Sequence, residues 1–439
     1  MTRKILTLLL IGAVSQIGYA QSFDKTKLDN YFNALDTNNK FMGSVALSKD
    51  GVVIYSKSVG YSDVENNVKA DETSKYRIGS ISKTFTAVLA LKAVEERKLT
   101  LNQTIDRYFP TIKNAKIITI QHLLNHRSGI YNFTNNKDFL TWHTQPKTEK
   151  EMVAIITKGG NDFEPDSKAE YSNSNFVLLT YILEKAFKKP YADLLQTYIV
   201  KPIGLQNTYL AGKINPDKHE TKSYTYAGTW KIEPETDISI PLGAGGIIST
   251  PIDMTKFSDA LFSGKLLKSE SLEIMKTIKD GFGMGLLEFP FYDKKGHGHN
   301  GGIDGFRSTF SRYSDGNISY ALTSNGTNYK NNNISIAVLS AVYGKPFEIP
   351  KFSSYEVKSE DLDKYLGVYA SKEIPMKITV TKDGNVLYAQ ATGQSSFPLE
   401  ATDQDKFEFD QAGVGLEFNP SEKTMLLKQG GGKITFTKE

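Results

Sequence analysis

The run from Arg77 to Val94, Arg-Ile-Gly-Ser-Ile-Ser-Lys-Thr-Phe-Thr-Ala-Val-Leu-Ala-Leu-Lys-Ala-Val, constrains this chain more than any other. Ile81, Phe85, Val88, Leu89, Leu91 and Val94 recur at helical spacing, with a wide buried face. The same stretch sets Ser80 three residues ahead of Lys83. With a helix starting at or near Ser80 the two side chains share a face, and the lysine amine reaches the serine hydroxyl. A helix start also offers free N–H groups and a positive field. A serine hydroxyl needs an adjacent base to act as a nucleophile, and a lysine held away from water gives up its proton more readily and can be that base. The competing reading of Ser80 is a plain N-cap.

The 439 residues suffice for two or three domains. Apolar content of 39% and charged content of 23% are those of a soluble globular protein. A net charge of +4, with no dense Lys/Arg run, argues against nucleic-acid binding. The lack of cysteine removes disulfides, thiolate metal sites, a cysteine nucleophile and a lipidated cysteine from consideration. At the N-terminus, Arg3 and Lys4 precede an apolar stretch over 5–14 and then Gly18-Tyr19-Ala20. That pattern predicts a secretory signal over residues 1–20, cleaved after Ala20. With no other long apolar run, the expectation is an exported protein, periplasmic or secreted, without an integral membrane segment.

Residues 25–35 read as an amphipathic helix, and 43–48 and 52–57 as strands on either side of an Asp50-Gly51 turn, with Gly60-Tyr61-Ser62 ending the second. Residues 118–129 read as a short helix capped by Gly129. Its histidines, His122 and His126, have no partner at metal-binding spacing and are read as structural. A loop over 165–170 precedes a helix starting around Tyr171. Gly243-Ala244-Gly245-Gly246 leads toward another helix through Phe257. Without a Walker lysine or G-x-G-x-x-G, close backbone packing explains it better than phosphate binding. Strand-like alternation covers 309–323. Pro346, Pro350 and Ser353-Ser354 mark a linker, assigned to 346–360, between a domain over 21–345 and a second over 361–439. In the second, short alternating runs at 378–380, 386–389, 407–409, 414–418, 425–427 and 434–436 predict a small barrel or sandwich with no catalytic constellation.

Three polar groups stand in order: Ser80-Ile81-Ser82-Lys83, Tyr171-Ser172-Asn173 and His299-Asn300-Gly301. With their flanks at 123–129, 245–250 and 301–306, they resemble the S-x-x-K, Y-x-N and K-T-G or H-x-G motifs of the serine β-lactamase and penicillin-binding-protein superfamily. The similarity is to its class C β-lactamase-like, DD-peptidase and esterase branch, and it spans residues 25–345. The C-terminal segment resembles, by pattern and position, the lipocalin-like barrel appended to some members.

The resemblance implies an α/β (α+β) fold, with an antiparallel sheet flanked by helices, an all-helical subdomain, and then the small β-barrel. It implies that Ser80 is acylated, that Lys83 takes or relays its proton, and that Tyr171, as a phenolate, shares the base role and later protonates the leaving group; which of the two is the base stays open. It implies that Asn173 bonds Lys83 and the substrate amide, and that His299 lines the opposite wall on an edge strand beside Gly301. The oxyanion would lie between the backbone N–H groups of Ser80 and Gly302, a glycine there allowing close approach. Arg307 is read either as a contact for a substrate carboxylate or as a surface or structural ion pair. No metal or cofactor is expected, and no oligomeric state is read. Histidine in place of the K-T-G lysine argues against efficient β-lactam hydrolysis. It favours a small peptide, amide or ester substrate, as for a D-alanyl-D-alanine carboxypeptidase or D-aminopeptidase. The alternatives are a carboxylesterase, or a penicillin-binding sensor that acylates without turnover. An α/β-hydrolase has no support, since G-x-S-x-G is absent.

Overall fold

The computed structural model describes residues 23–352 and 355–439. The expected signal over 1–20 with its cleavage site, and the Ser353-Ser354 pair, lie outside them. Helix α1 (Lys25–Thr37) buries Leu28, Tyr31, Phe32 and Leu35, an i, i+3, i+4, i+7 stripe, and Asp24 caps it by accepting the Lys27 N–H at 2.9 Å. Strands β1 (Phe41–Lys49) and β2 (Val52–Val59) form the expected hairpin. Asp50 (φ +52°) and Gly51 (φ +79°) adopt the left-handed pair that a two-residue turn requires. The second strand ends at Val59, and Tyr61–Asp63 forms a separate short strand.

The central sheet is antiparallel, in the order β3 (Leu287–Phe291), β4 (Lys294–Ile303), β5 (Phe306–Tyr313), β6 (Ile318–Thr327), β1, β2. Side chains alternate across it. Tyr320 and Leu322 of β6 join α1 and α5 (Asn331–Val342) on one face. Ala321, between them, joins α2 (Ser82–Glu95), α3 (Asn173–Phe187) and α4 (Pro251–Phe262) on the other. Burial of α2 exceeds the expected wide face, for every residue from Ser82 to Leu91 is inside, Lys83 and Thr84 included. Phe85 stacks on Phe257 of α4 with ring centroids 3.7 Å apart. The helical subdomain includes α3, Ile120–Leu124 and Glu149–Gly159.

The predicted helix over 118–129 is shorter than expected. It runs from Ile120 to Leu124, and the left-handed residue after it is His126 (φ +57°), not a capping Gly129. Gly129 lies further on, where a Cβ would stand 2.0 Å from the Phe163 carbonyl oxygen. The packing reading of the glycine loop is matched by contact, since a Cβ on Gly243 would fall 2.5 Å from Thr180 Oγ1 and 2.6 Å from Thr86 Oγ1.

The C-terminal strands, β7 (Gly367–Ala370) to β14 (Gly432–Lys438), close into an eight-stranded barrel when β7 pairs with β14. Two of them, β7 and β10 (Phe397–Asp403), were not among the predicted runs. A 3-10 turn, Ser359–Tyr365, inserts Leu362 and Tyr365 into the barrel core. Lys40, ahead of β1, is buried between the two parts, bonded to Glu400 and, at 2.9 Å, to Asp410 of the barrel. No helix among the described residues is long and apolar enough to cross a membrane.

Candidate active site

Gly79, at φ +50°, bends the chain from the strand Tyr76–Arg77 into the 3-10 turn Gly79–Ile81 that precedes α2. Ser80 sits in that turn. It makes no cap bond to the start of either helix, so the N-cap reading falls. Its Oγ instead accepts the Tyr171 O–H at 2.7 Å and lies 3.0 Å from Lys83 Nζ. Lys83 is buried. Its other two partners are pure acceptors, Asn173 Oδ1 at 2.7 Å and the Ala244 carbonyl at 2.6 Å.

This set favours a particular protonation state. Burial pushes the Lys83 amine well below its ordinary range, and among the described residues no carboxylate bonds it to oppose the shift. A neutral amine has two N–H groups, which match Asn173 Oδ1 and Ala244 O, and its lone pair then faces the Ser80 hydroxyl. Burial acts on Tyr171 in the opposite sense and raises its pKa. Burial thus opposes the expected phenolate, and the phenol O–H donates to Ser80 Oγ. Burial thereby favours the lysine over the tyrosine as acceptor of the Ser80 proton.

Asn173, at the start of α3, is held by its neighbours. Its backbone N–H donates to Asn132 Oδ1 at 3.0 Å, and its Nδ2 lies 3.2 Å from both Asn132 Oδ1 and Thr134 Oγ1. The opposite wall is β4. It is not the edge strand expected for His299, since β3 lies outside it; but pairing with β3 ends at Gly298, and from His299 onward that side of β4 is unpaired among the described residues. His299 is buried and its Nδ1 donates to the Asn300 carbonyl at 2.6 Å. Burial, the largest cause, pushes it down to about 4. It is a neutral group at neutral pH and no substitute for a cationic lysine.

The two backbones abut where an oxyanion would lie. A Cβ on Gly301 would stand 2.0 Å from the Ile78 carbonyl oxygen and 2.2 Å from Ser308 Oγ, while one on Gly79 would stand 2.7 Å from Gly302 N. Ser308 Oγ ties β5 to the same turn by donating to the Ile78 carbonyl at 2.8 Å. The close approach assigned to Gly302 thus belongs to Gly301 and Gly79; a Cβ on Gly302 would meet nothing nearer than 3.7 Å. Ser80 and Gly302 are nonetheless brought together. Arg77 fixes the turn that follows: it is buried, pairs with Glu235 and with Asp304 at 3.4 Å, and donates to the Thr236 carbonyl at 2.8 Å.

Arg307 lies beside Gly302, exposed, with Nη1 donating to the Asp304 and Phe306 carbonyls at 2.9 and 2.7 Å. It forms no ion pair within 4.0 Å among the described residues, so the salt-bridge reading fails and a guanidinium edge remains at the rim of the site. The structure brings Ser80, Lys83, Tyr171, Asn173, His299, Gly301, Gly302 and Arg307 close to one another. Sequence reasoning missed Ala244, which acts through a carbonyl and leaves no side-chain signal, and Asn132 and Thr134, which belong to no motif.

The family model described as Beta-lactamase matches residues 28–342. A penicillin-binding protein of Bacillus subtilis (strain 168) is 27% identical over 449 residues, covering 92% of this chain and 97% of that protein. A teichoic acid D-alanine hydrolase of Staphylococcus aureus (strain MRSA252) is 31% identical over 242 residues, 55% of this chain and 58% of that enzyme. Among solved structures, the D-amino acid amidase of Ochrobactrum anthropi SV3 superposes with a TM-score of 0.63 at 26% identity, over 72% of this chain and 99% of the amidase.

Proposed function

We propose, from the premise that the chain belongs to the Beta-lactamase family and is a serine hydrolase, that it cleaves amides or esters of D-configured aminoacyl groups through an acyl-enzyme on Ser80. The observation that carries the mechanism is the placement of Ser80 Oγ between Lys83 Nζ at 3.0 Å and Tyr171 Oη at 2.7 Å, in a setting whose burial favours the neutral form of both. The Ser80 proton passes to Lys83 as Oγ bonds the substrate carbonyl carbon. The carbonyl oxygen takes up the negative charge, held by the N–H groups of Ser80 and Gly302. On collapse the C–N or C–O bond breaks, and Tyr171 gives its proton to the leaving group. Lys83, with its ammonium 4.9 Å over the Tyr171 ring, returns a proton to the phenolate. Water then attacks the ester at Ser80, releasing the acid and restoring the hydroxyl.

The substrate class draws support from the relatives, a teichoic acid D-alanine hydrolase and a D-amino acid amidase, both acting on D-configured amino acids by their names. A neutral His299 where K-T-G enzymes carry lysine supports a poor fit for β-lactams. The position of Arg307 beside Gly302 supports its meeting a substrate carboxylate. Residues 1–20 carry the further proposal of export, checked by N-terminal sequencing of secreted material for a start at Gln21.

The test is turnover by the chain from Gln21 and its Ser80→Ala variant on a panel of D-Ala-D-Ala peptide, D- and L-amino acid amides, a D-alanyl ester, a short acyl ester and a chromogenic cephalosporin. Serine-dependent turnover of the D-aminoacyl compounds above their L-counterparts is expected. Turnover of the short acyl ester alone would make it a carboxylesterase, and a lasting Ser80 adduct without turnover would make it a penicillin-binding sensor. Full activity of Ser80→Ala would end the proposal.

A further inference from the structure

His126 lies in the flanking segment 123–129, outside the three motifs themselves, and its spacing supports only a structural reading. The structure puts it around Tyr171. Its backbone carbonyl accepts the Glu170 N–H at 2.9 Å, and its ring Nδ1 accepts the Ser172 N–H at 3.2 Å. The N–H groups immediately before and after Tyr171 thus end on one residue. The ring itself lies against the Tyr171 phenol, with centroids 4.6 Å apart and planes tilted by 35°. Phe176 and Phe282 close the box around the imidazole at 5.3 and 5.1 Å. Tyr171 needs such support, because it belongs to no helix or strand and only two residues later does α3 begin.

We propose that His126 is the positioning residue for Tyr171, holding both its flanks and its ring so that the phenol O–H stays on Ser80 Oγ. The proposal rests on the reading of Tyr171 as the proton donor to the leaving group. Several features fit. Nδ1 can accept the Ser172 N–H only in the neutral ring, and burial, with Lys83 and His299 near by, keeps the ring neutral. The ring proton then sits on Nε2, which is buried and has no partner among the described residues. A purely structural histidine would be expected to satisfy that N–H; here the ring is oriented to serve Ser172 instead. His126 also holds φ +57°, an uncommon backbone for a non-glycine residue, and that geometry turns its carbonyl toward Glu170. Its neighbour anchors the same loop to the segment leading to Tyr171: the Arg127 carbonyl accepts the Asp166 N–H at 2.8 Å, and its guanidinium bonds the Asp166 carboxylate at 2.5 Å.

The test is a double-mutant cycle with Tyr171→Phe, which keeps the ring and removes the hydroxyl. His126→Phe keeps the ring contact and loses the acceptor; His126→Asn offers an amide acceptor in place of Nδ1 and loses the ring. Single-turnover and steady-state kinetics on a D-alanyl amide are read beside thermal melts. His126→Phe is expected to lower kcat about 30- to 100-fold, the scale of a misplacement near 1 Å, with KM changed less than about threefold. His126→Asn should recover part of that loss. In the Tyr171→Phe background neither substitution should slow the enzyme further, because no hydroxyl remains to misplace. Losses that multiply in the double variants, or a wild-type kcat in His126→Phe alongside a slow Tyr171→Phe, would overturn the proposal while leaving the role of Tyr171 intact. A wild-type kcat in Tyr171→Phe would remove that role and this proposal with it. Should His126→Phe not fold, the His126→Asn cycle decides by the same criterion.

Discussion

Replacing Gly301 by alanine tests the tightest approach in the site. The added methyl carbon would stand 2.0 Å from the Ile78 carbonyl oxygen, against the 3.0 Å below which such contacts are essentially never seen. The edge of β4 and the serine turn must therefore separate by at least about 1 Å, at a cost of about 1–3 kcal/mol in overpacking. That movement carries the Gly302 N–H away from Ser80, and a displacement of this size in a catalytic array lowers the rate by about 100-fold. Gly302→Ala is the matched control. Its methyl would meet nothing nearer than 3.7 Å, its φ is not in the left-handed region, and its N–H is retained. Thermal melts and kcat on a D-alanyl ester should thus show Gly301→Ala destabilised and slow, and Gly302→Ala within about threefold of wild type, a difference under about 0.7 kcal/mol. Equal activity in the two variants, or a slower Gly302→Ala, would refute the steric account of how the oxyanion site is built.

The pH–rate profile should follow the two opposed shifts. Acylation needs Lys83 unprotonated, so its rate rises with pH through a transition well below the ordinary lysine value of 10.5. It falls only above 10.0, where Tyr171, raised by burial, begins to ionise; a falling limb below pH 10 that vanishes in Tyr171→Phe would contradict the neutral-phenol assignment. His299 should contribute to acid sensitivity. Its folded value of about 4 lies below the ordinary 6.5, so the unfolded chain binds its proton first as pH falls. Its stabilising contribution is whole above pH 6.5 and is lost on descent to 4, amounting to about 3 kcal/mol. Urea melts of wild type and His299→Gln at pH 7 and pH 4.5 should show the variant losing less stability between the two; equal losses would place His299 in a more solvated setting.

The meeting of Ser80, Lys83 and Tyr171 was legible because each is a reactive side chain at helical spacing or beside a helix start. Their protonation was not, for it depends on burial supplied by residues far along the chain. The same limit hid Ala244 and moved the tight contact from Gly302 to Gly301, since both depend on which backbone meets which across distant segments. His126 was visible as a residue but not as a support, because its partners at 170 and 172 lie more than forty positions away. In the barrel, alternation revealed six strands. It missed Gly367–Ala370, which is four residues long, and Phe397–Asp403, where Pro398 masks a strand whose place is set by pairing with Val386–Ala391.

The central claim is that Ser80 carries the acyl group, and the direct measurement is intact-mass spectrometry of enzyme quenched during turnover of an activated D-alanyl ester, followed by peptide mapping. The account predicts an adduct of one D-alanyl group on the peptide containing Ser80, formed faster than product is released and absent from Ser80→Ala. Turnover with no such adduct at any quench time, or an adduct mapped to another residue, would contradict it.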